Sequence, residues 1–556
     1  MILDMLSYLW SLLCVGMTQY TKTFFFATIV LYVIHWVRVR RYKHSLFQRL
    51  GIPHVKPHLI HGSMRTLTGK TIATEVIGKW LEKYGNIFGY YIGAKPIVVV
   101  KDLDLIKQVL VKDFHNFSNR PRFLVEVEPI INTLVGLRDQ RWKDVRSILT
   151  PTFSMSKMKL MIGIINERVT ELLEIVSDHN ATEKPLEWYT IFQGLTLDVI
   201  CEAVLAMKRH CQRDQDNDLV LSSTRKFLRN AINPVVHLLN YFNIFLSVLA
   251  FVYNTFALSG RMTNMVVTHL KTVLDARRED LSKKNIDVLQ LMLDAAESRQ
   301  IPNDTKVLNI QNGTTVPNGK INEAGQQHSA TNSMLANEVA KKTMSDKEII
   351  ANAWMFLIAG FDTTANSLTN TAYLLACNPD IQEKLYQELC EHIEDGYEHI
   401  SYETVHKLTY LDQVFSETLR LFPPVVTFVT RDTNADYQLG DYSIPTDTNI
   451  LIPVWQIHHD PKLWPEPYTF DPERFSAEAK ASENRHPMSY IPFGAGPRSC
   501  PGLRFAQLEA KVALARIVRT HKLETCEQTP IPMVFELPTV THTPAKDVIL
   551  KAIPRE

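Results

Sequence analysis

The sequence predicts a mainly α-helical (α+β) domain with small β-sheets, preceded by a transmembrane helix. Three observations predict it. The segment from Ser345 to Cys377 is apolar at helical spacing and long enough to cross a whole domain. The strand-like run that stands out, Pro96-Ile-Val-Val-Val, is short and flanked by turn signals. The first segment is apolar and is followed at once by Arg38, Arg40, Arg41 and Lys43.

The 556 residues suffice for one large or several ordinary domains. Lys+Arg 60 against Asp+Glu 59 leaves a net charge of +1, which argues against nucleic acid as the main partner. The 7 cysteines lack metal or disulfide spacing, which fits a reducing, cytosol-facing compartment. The sequons at Asn180, Asn303 and Asn312 are then chance matches.

Residues 1–43 read as a membrane anchor. Thr23–Val37 is a clean apolar run, and with Tyr20 and a snorkelling Lys22 it just crosses a roughly 30 Å hydrocarbon layer. The basic residues after it put everything beyond residue 38 in the cytosol. A cleaved signal peptide would carry its charge before the run and small residues at its end, the reverse of the order seen. Met1–Met17 is apolar but holds Asp4, and whether it also inserts stays open. Residues 44–62 form a hinge in which Pro53 and Pro57 stiffen the link and stop the anchor helix. Residues 63–556 form the globular domain.

Within that domain, Tyr84–Asp104 reads as a small antiparallel sheet and Leu103–Lys112 as a helix. Phe117–Gly136 is irregular. Trp142 and Arg146 are four apart, so on a helix they share a face and can together hold a carboxylate. Leu160–Met207 reads as two or more amphipathic helices. Leu228–Leu258 is apolar almost throughout, either buried core or partly immersed in a bilayer; Asn240, Asn243 and Asn254 argue against a full span. The polar stretch 298–342 lacks periodicity and reads as a flexible insert. Ser345 and Glu348 form a capping box that opens the long helix. Midway along it, Gly360 permits close approach of a flat ligand, and Asp362 sets an acid beside the alcohol of Thr363. The pair is either satisfied by backbone groups or relays protons. Glu417 and Arg420 lie at i,i+3, and Arg474 completes a buried acid–base cluster. His458 and His459 precede Asp460-Pro461 and read as turn chemistry rather than ligation.

The ten residues Phe493-Gly-Ala-Gly-Pro-Arg-Ser-Cys-Pro-Gly502 carry the most specific signal. Gly496 permits a tight turn. Leu503–Val518 is helical, so Cys500 lies at a helix N-terminus, where the dipole favours an anion. Arg498 reaches an acidic group on whatever the sulfur holds. Pro501 removes one N–H that could have pointed at the sulfur. Phe493, Gly496, Arg498, Cys500 and Gly502 together resemble the heme-binding loop of the cytochromes P450.

The resemblance runs from about Gly51 to the C-terminus and implies a triangular helical domain with small sheets. It implies that Cys500 is the thiolate ligand of the iron of heme b, within a loop shaped by Phe493 and Gly502. It implies that Trp142, Arg146, Arg431 and Arg498 hold heme propionates, and that Asp362 and Thr363 deliver protons for oxygen activation. Glu417, Arg420 and Arg474 become a structural network beneath the heme loop. Phe117–Gly136 becomes either a loop over the substrate pocket or an ordinary surface loop, with equal weight. Arg141 and Lys143, pointing away from Trp142, would add to a basic surface for an electron donor. Phrases such as Ser147-Ile-Leu-Thr-Pro-Thr-Phe153 and Asp287–Asp294 resemble one animal microsomal clan, which includes broad-specificity drug-oxidising enzymes and thromboxane synthase.

The same resemblance implies a monooxygenase on the cytosolic side of the endoplasmic reticulum membrane, held by a single-pass anchor. It would insert one atom of O2 into a lipophilic small molecule. Electrons would come from NADPH through a membrane flavoprotein reductase, because the chain shows no dinucleotide or flavin fingerprint. The rivals are a heme-thiolate isomerase or dehydratase acting on lipid peroxides, and a non-catalytic heme-binding protein.

Overall fold

The computed structural model describes residues 19–69, 71–122, 128–180, 185–205, 207–215, 217–230, 258–279, 287–297, 343–394, 399–482, 484–537 and 541–555. Met1–Met17, nearly all of Leu228–Leu258, the polar insert 298–342 and residues 123–127 of the irregular stretch lie outside the described residues.

Helix α1 (Gln19–His44) is, among the described residues, the one helix long and apolar enough to cross a membrane. Its Phe24, Phe26 and Leu31 are exposed to the surroundings. Its far end is docked on the globular domain. Arg40 donates from Nε to the Leu59 carbonyl (3.0 Å) and from Nη2 to the Ile60 carbonyl (2.6 Å). His44 Nε2 lies 2.9 Å from the Gly93 carbonyl. Phe47 is fully buried against the Tyr91 ring, centroids 4.7 Å apart. Contrary to the expectation from the sequence, the prolines do not end this helix. It stops at His44, and the chain turns through Gly51 at φ 68°, before Pro53 is reached. Docking of Arg40, His44 and Phe47 sets the break.

Those docking residues meet a small sheet. Strands β1 (Ile87–Ile92) and β2 (Lys95–Val100) pair antiparallel, with Tyr90 opposite Ile97, as the sequence suggests. The next strands in the chain are β3 (Leu186–Glu187), β4 (Thr430–Asp432), β5 (Tyr437–Leu439), β6 (Tyr442–Ile444) and β7 (Asn449–Leu451). The first sheet has the order β1-β2-β7-β4. Strands β8 (His521–Thr525), β9 (Phe535–Glu536), β10 (Thr543–Pro544) and β11 (Ile549–Pro554) complete the set. They give a β3-β11-β8 sheet and a β9–β10 pair, while β5–β6 forms a hairpin.

The helical body is built on helices α2 (Asp139–Leu149), α3 (Met155–Asn180), α4 (Trp188–Leu205), α5 (Asp346–Cys377), α6 (Thr409–Leu421) and α7 (Leu503–Thr520). The capping box at α5 forms as read: Ser345 N–H donates to Glu348 Oε2 at 2.8 Å. At 1.5 Å per residue α5 is roughly 48 Å long, and most of its residues are buried. Helix α4 packs along it. It is buried on nearly every side, not amphipathic as the sequence suggested, so its polar residues need internal partners. They have them. Asp198 accepts from the Cys211 and Gln212 N–H groups (2.8 and 3.1 Å), and Glu202 accepts from Arg168 Nε (2.9 Å). Gly360 serves this packing: a Cβ there would meet Ile200 Cδ1 at 2.9 Å.

Arg141 is not part of a free basic surface. Its guanidinium forks onto Glu348, Nε to Oε1 at 2.6 Å, so the residue that caps α5 also ties it to α2. The expected basic surface keeps Lys143, which is exposed.

Arg40→Ala should leave the Leu59 and Ile60 carbonyls without their cationic donor and loosen the anchor from the sheet. Limited proteolysis of membrane-bound protein should then cut faster within residues 45–62. An unchanged cleavage rate would show that His44 and Phe47 hold the junction without it.

Candidate cofactor site

The loop before α7 is fastened at three points. Cys500 N–H donates to the Phe493 carbonyl (2.9 Å), Ser499 N–H to the Gly496 carbonyl (3.0 Å) and Gly494 N–H to the Ile491 carbonyl (3.0 Å). Gly496 has φ 73°, and a Cβ there would lie 1.9 Å from the Leu110 carbonyl oxygen. Conformation and space therefore both demand glycine. Gly502 is the N-cap of α7, and a Cβ there would meet nothing, so the space beside it is open.

The Cys500 side chain is open, yet burial pushes its thiol up. Both hold for a sulfur that lines an internal recess. Opposing the burial are the Gly502 and Leu503 N–H groups and the charges of Arg146 and Arg120, all of which favour the thiolate. The N–H that Pro501 cannot supply is replaced by those of the next two residues.

Four arginines converge around the loop. Arg498 is buried, donates to the carbonyls of Ser118 (2.7 Å), Leu137 (3.0 Å) and Leu134 (3.2 Å), and lies 4.1 Å above the Trp142 ring. Arg146 donates to the Ser499 carbonyl (3.1 Å). Arg431, on β4, donates to the Thr430 carbonyl (2.8 Å), and its Nε is buried without a partner. Arg120 donates to the Phe428 carbonyl (2.6 Å) and lies 4.0 Å above that ring. Burial first, then their mutual repulsion, lowers Arg498 to about 9, and burial brings Arg120 to about 10. Arg431 is pushed well below its ordinary value for the same reasons. Among the described residues none of the four pairs with a carboxylate, whereas Arg168, Arg209, Arg277 and Arg420 all do.

This donor set fits a heme. One open sulfur on a helix N-terminus can ligate a metal, and desolvated, mutually repelling guanidiniums with an orphaned N–H suit two carboxylates. Trp142 and Arg146 do share a face of α2, with Trp142 beneath the Arg498 guanidinium. Arg120 was missed by sequence reasoning; it lies in the stretch that looked merely irregular.

On α5, Ala359 is exposed, and Gly360 and Thr363 are half-buried, within an otherwise buried helix. Together they mark a strip that faces open space. Thr363 Oγ1 donates to the Ala359 carbonyl (2.6 Å). Asp362 is buried beside this strip and accepts from the Tyr189 hydroxyl at Oδ1 (2.6 Å). The acid and the alcohol are thus neighbours in sequence, but the alcohol's proton is committed to backbone. Tyr189 also escaped the sequence reading.

The Glu417–Arg420–Arg474 cluster forms as read. Arg420 makes a fork on Glu417 (2.7 and 2.8 Å), both fully buried, and Arg474 Nε lies 3.4 Å from Glu417 Oε1. Arg420 Nη1 also donates to the carbonyls of His458 and Pro467, each at 2.8 Å. His458 is more than turn chemistry. It is fully buried, burial holds its pKa well below the usual imidazole value, and its Nε2 accepts the Ile491 N–H (3.0 Å). One histidine therefore connects the ionic cluster to the start of the sulfur loop.

Glu417→Ala would strand Arg420 as a buried, unpaired charge and should cost roughly 3–5 kcal/mol, read as a fall in denaturant midpoint with loss of bound heme. A change under about 1 kcal/mol would show that backbone carbonyls alone satisfy Arg420. Gly496→Ala should abolish heme retention in folded protein, since the added Cβ meets main chain rather than a movable side chain. Full heme content in that variant would show that the loop can re-form elsewhere.

A family model described as Cytochrome P450 matches residues 52–551. The chain is 30% identical to cytochrome P450 3A29 of Sus scrofa, over 93% of each chain. It is 31% identical to thromboxane-A synthase of Sus scrofa, over 95% of this chain and 96% of that protein. Identity to cytochrome P450 3A9 of Rattus norvegicus is 30%, over 93% of each. An open cysteine sulfur on a helix N-terminus, ringed by unpaired arginines and backed by a Glu–Arg–Arg cluster, stands within a sequence match of nearly full length, and the chain belongs to the cytochrome P450 family.

Proposed function

We propose that the protein is a heme-thiolate monooxygenase that inserts one atom of O2 into a lipophilic small molecule, the second atom leaving as water. The observation that carries this reading is the Cys500 sulfur, open in a recess and flanked by N–H groups and guanidinium charge. When bound, the thiolate-ligated heme supplies O2 activation and O–O cleavage.

The chain's own residues do the rest. Gly502 and Leu503 N–H groups, with Arg146 and Arg120, favour the Cys500 thiolate against the burial that raises its thiol, and would steady it once the metal is bound. Arg120, Arg146, Arg431 and Arg498 take the propionates, with Trp142 supporting Arg498. Phe493 closes the loop through its carbonyl. Thr363 and Asp362 move protons from the α5 side. Glu417, Arg420 and Arg474 keep the loop's foundation from shifting.

Electrons would be delivered by a flavoprotein reductase that oxidises NADPH. Helix α1 would anchor the protein in the endoplasmic reticulum membrane, with the heme domain on the cytosolic side. One relative is named as a thromboxane-A synthase, which supports isomerisation of a lipid peroxide as the second reading. Thr363 favours the monooxygenase, because isomerisation without external electrons has no use for a proton relay.

Reconstitution in vesicles with NADPH and reductase tests the choice. Oxygenated product should form, and Thr363→Ala should raise the share of electrons lost as hydrogen peroxide. Turnover of a lipid endoperoxide at full rate without NADPH would establish the isomerase reading instead.

A further inference from the structure

We propose that Tyr189 is a positioning residue for proton delivery: its hydroxyl holds the Asp362 carboxylate against α4, off the open strip of α5, until the acid turns toward Thr363. The proposal rests on the reading of Asp362 and Thr363 as proton carriers.

Tyr189 has little freedom. It lies in the first turn of α4, which β3 leads into and which is tied to the β3-β11-β8 sheet. Trp188 N–H donates to the Val548 carbonyl (2.9 Å). Glu187 caps the same turn, accepting from the Tyr189 N–H (3.0 Å) and the Thr190 N–H (2.6 Å). Farther along, Thr196 Oγ1 donates to the Phe361 carbonyl (3.0 Å), the residue before Asp362. Ile200 fills the notch left by Gly360. The contacts Ile200–Gly360, Thr196–Phe361 and Tyr189–Asp362 follow one another in opposite senses along the two helices. Helix α4 is thus keyed to α5 at the oxygen-side motif, and the phenol reaches the acid from a fixed base.

The phenol is also oriented. Its O–H hydrogen is committed to Asp362 Oδ1 at 2.6 Å. One turn along α4, Gln193 accepts from Arg225 Nε (2.7 Å). Asn366 Nδ2 donates to the Asp362 carbonyl (2.8 Å), fixing the backbone there. The 2.6 Å bond from the phenol therefore favours this position of the acid. Meanwhile Thr363 donates to Ala359, so the relay is parked on both sides. The Tyr189 contact is a restraint on how often the acid faces the strip.

The test uses full-length, heme-loaded protein with labelled aspartate, comparing wild type, Tyr189→Phe and Asp362→Asn. Isotope-edited infrared spectra identify the Asp362 carboxylate band as the one missing from Asp362→Asn. In Tyr189→Phe that band should shift, with the unfolding midpoint and the substrate-binding spectrum kept. With NADPH and reductase, the peroxide share should fall in Tyr189→Phe, because the acid is released toward the strip. An unshifted band, or a shifted band with an unchanged or higher peroxide share, overturns the proposal. If Asp362→Asn itself retains the wild-type peroxide share, the proton-carrier reading fails, and the band shift alone then judges the Tyr189 contact.

Discussion

Uncompensated positive charge around one open sulfur is the constraint on which the rest of the structure depends. Bringing four guanidiniums out of water and close together is unfavourable, and burial visibly lowers the proton affinity of Arg120, Arg431 and Arg498. Elsewhere in this protein buried arginines are matched with carboxylates, as Arg168 is with Glu202 and Arg277 with Asp287. At the loop the matching anions are missing from the described residues. A dianionic cofactor repairs that imbalance, and the same positive field stabilises the thiolate that binds its metal. Cofactor and ligand thus stabilise one another through the same arginines.

Such a field needs rigid walls. Desolvated cations that could rotate outward would simply hydrate. Arg498 is fixed by three carbonyls and the face of Trp142, and Arg120 by the Phe428 carbonyl and ring. The loop that presents the sulfur is held from below by Glu417, Arg420 and His458. At Arg498 and Arg120 carbonyl oxygens take guanidinium hydrogens without cancelling the charge, so the field persists.

Much of this was legible in the sequence, for a reason of distance. The sulfur loop, the α5 cap and motif, and the Glu417–Arg420 pair act within a few residues, so composition and spacing encode them. The long-range partners do not leave such a trace. Arg120 is far from the loop in sequence and sits in a stretch without periodicity. Tyr189 occupies a helix that looked amphipathic but is buried all round. His458 resembled a turn residue because its useful contact, the Ile491 N–H, is 33 positions away. Arg141 was read as free because its partner, Glu348, already had a role as a cap; one carboxylate serving both a helix end and a distant arginine cannot be inferred from either segment alone. Likewise Gly360 reads as room for a ligand, and part of that room belongs to Ile200.

A metal ligand and a proton carrier meet opposite demands, and the chain answers with different chemistry. A metal ligand must not move, since a small displacement of sulfur changes bond length and donor strength. Its surroundings are therefore ionic, buried and main-chain-bonded, with glycine where a Cβ would collide. A proton carrier must move, since it has to accept on one side and donate on the other. Its surroundings include breakable hydrogen bonds from side chains with one rotatable group each: the Thr363 hydroxyl on the Ala359 carbonyl and the Tyr189 phenol on Asp362. Rigidity beneath the sulfur and breakable hydrogen bonds at the α5 strip are what a site needs to bind a metal tightly and still pass protons.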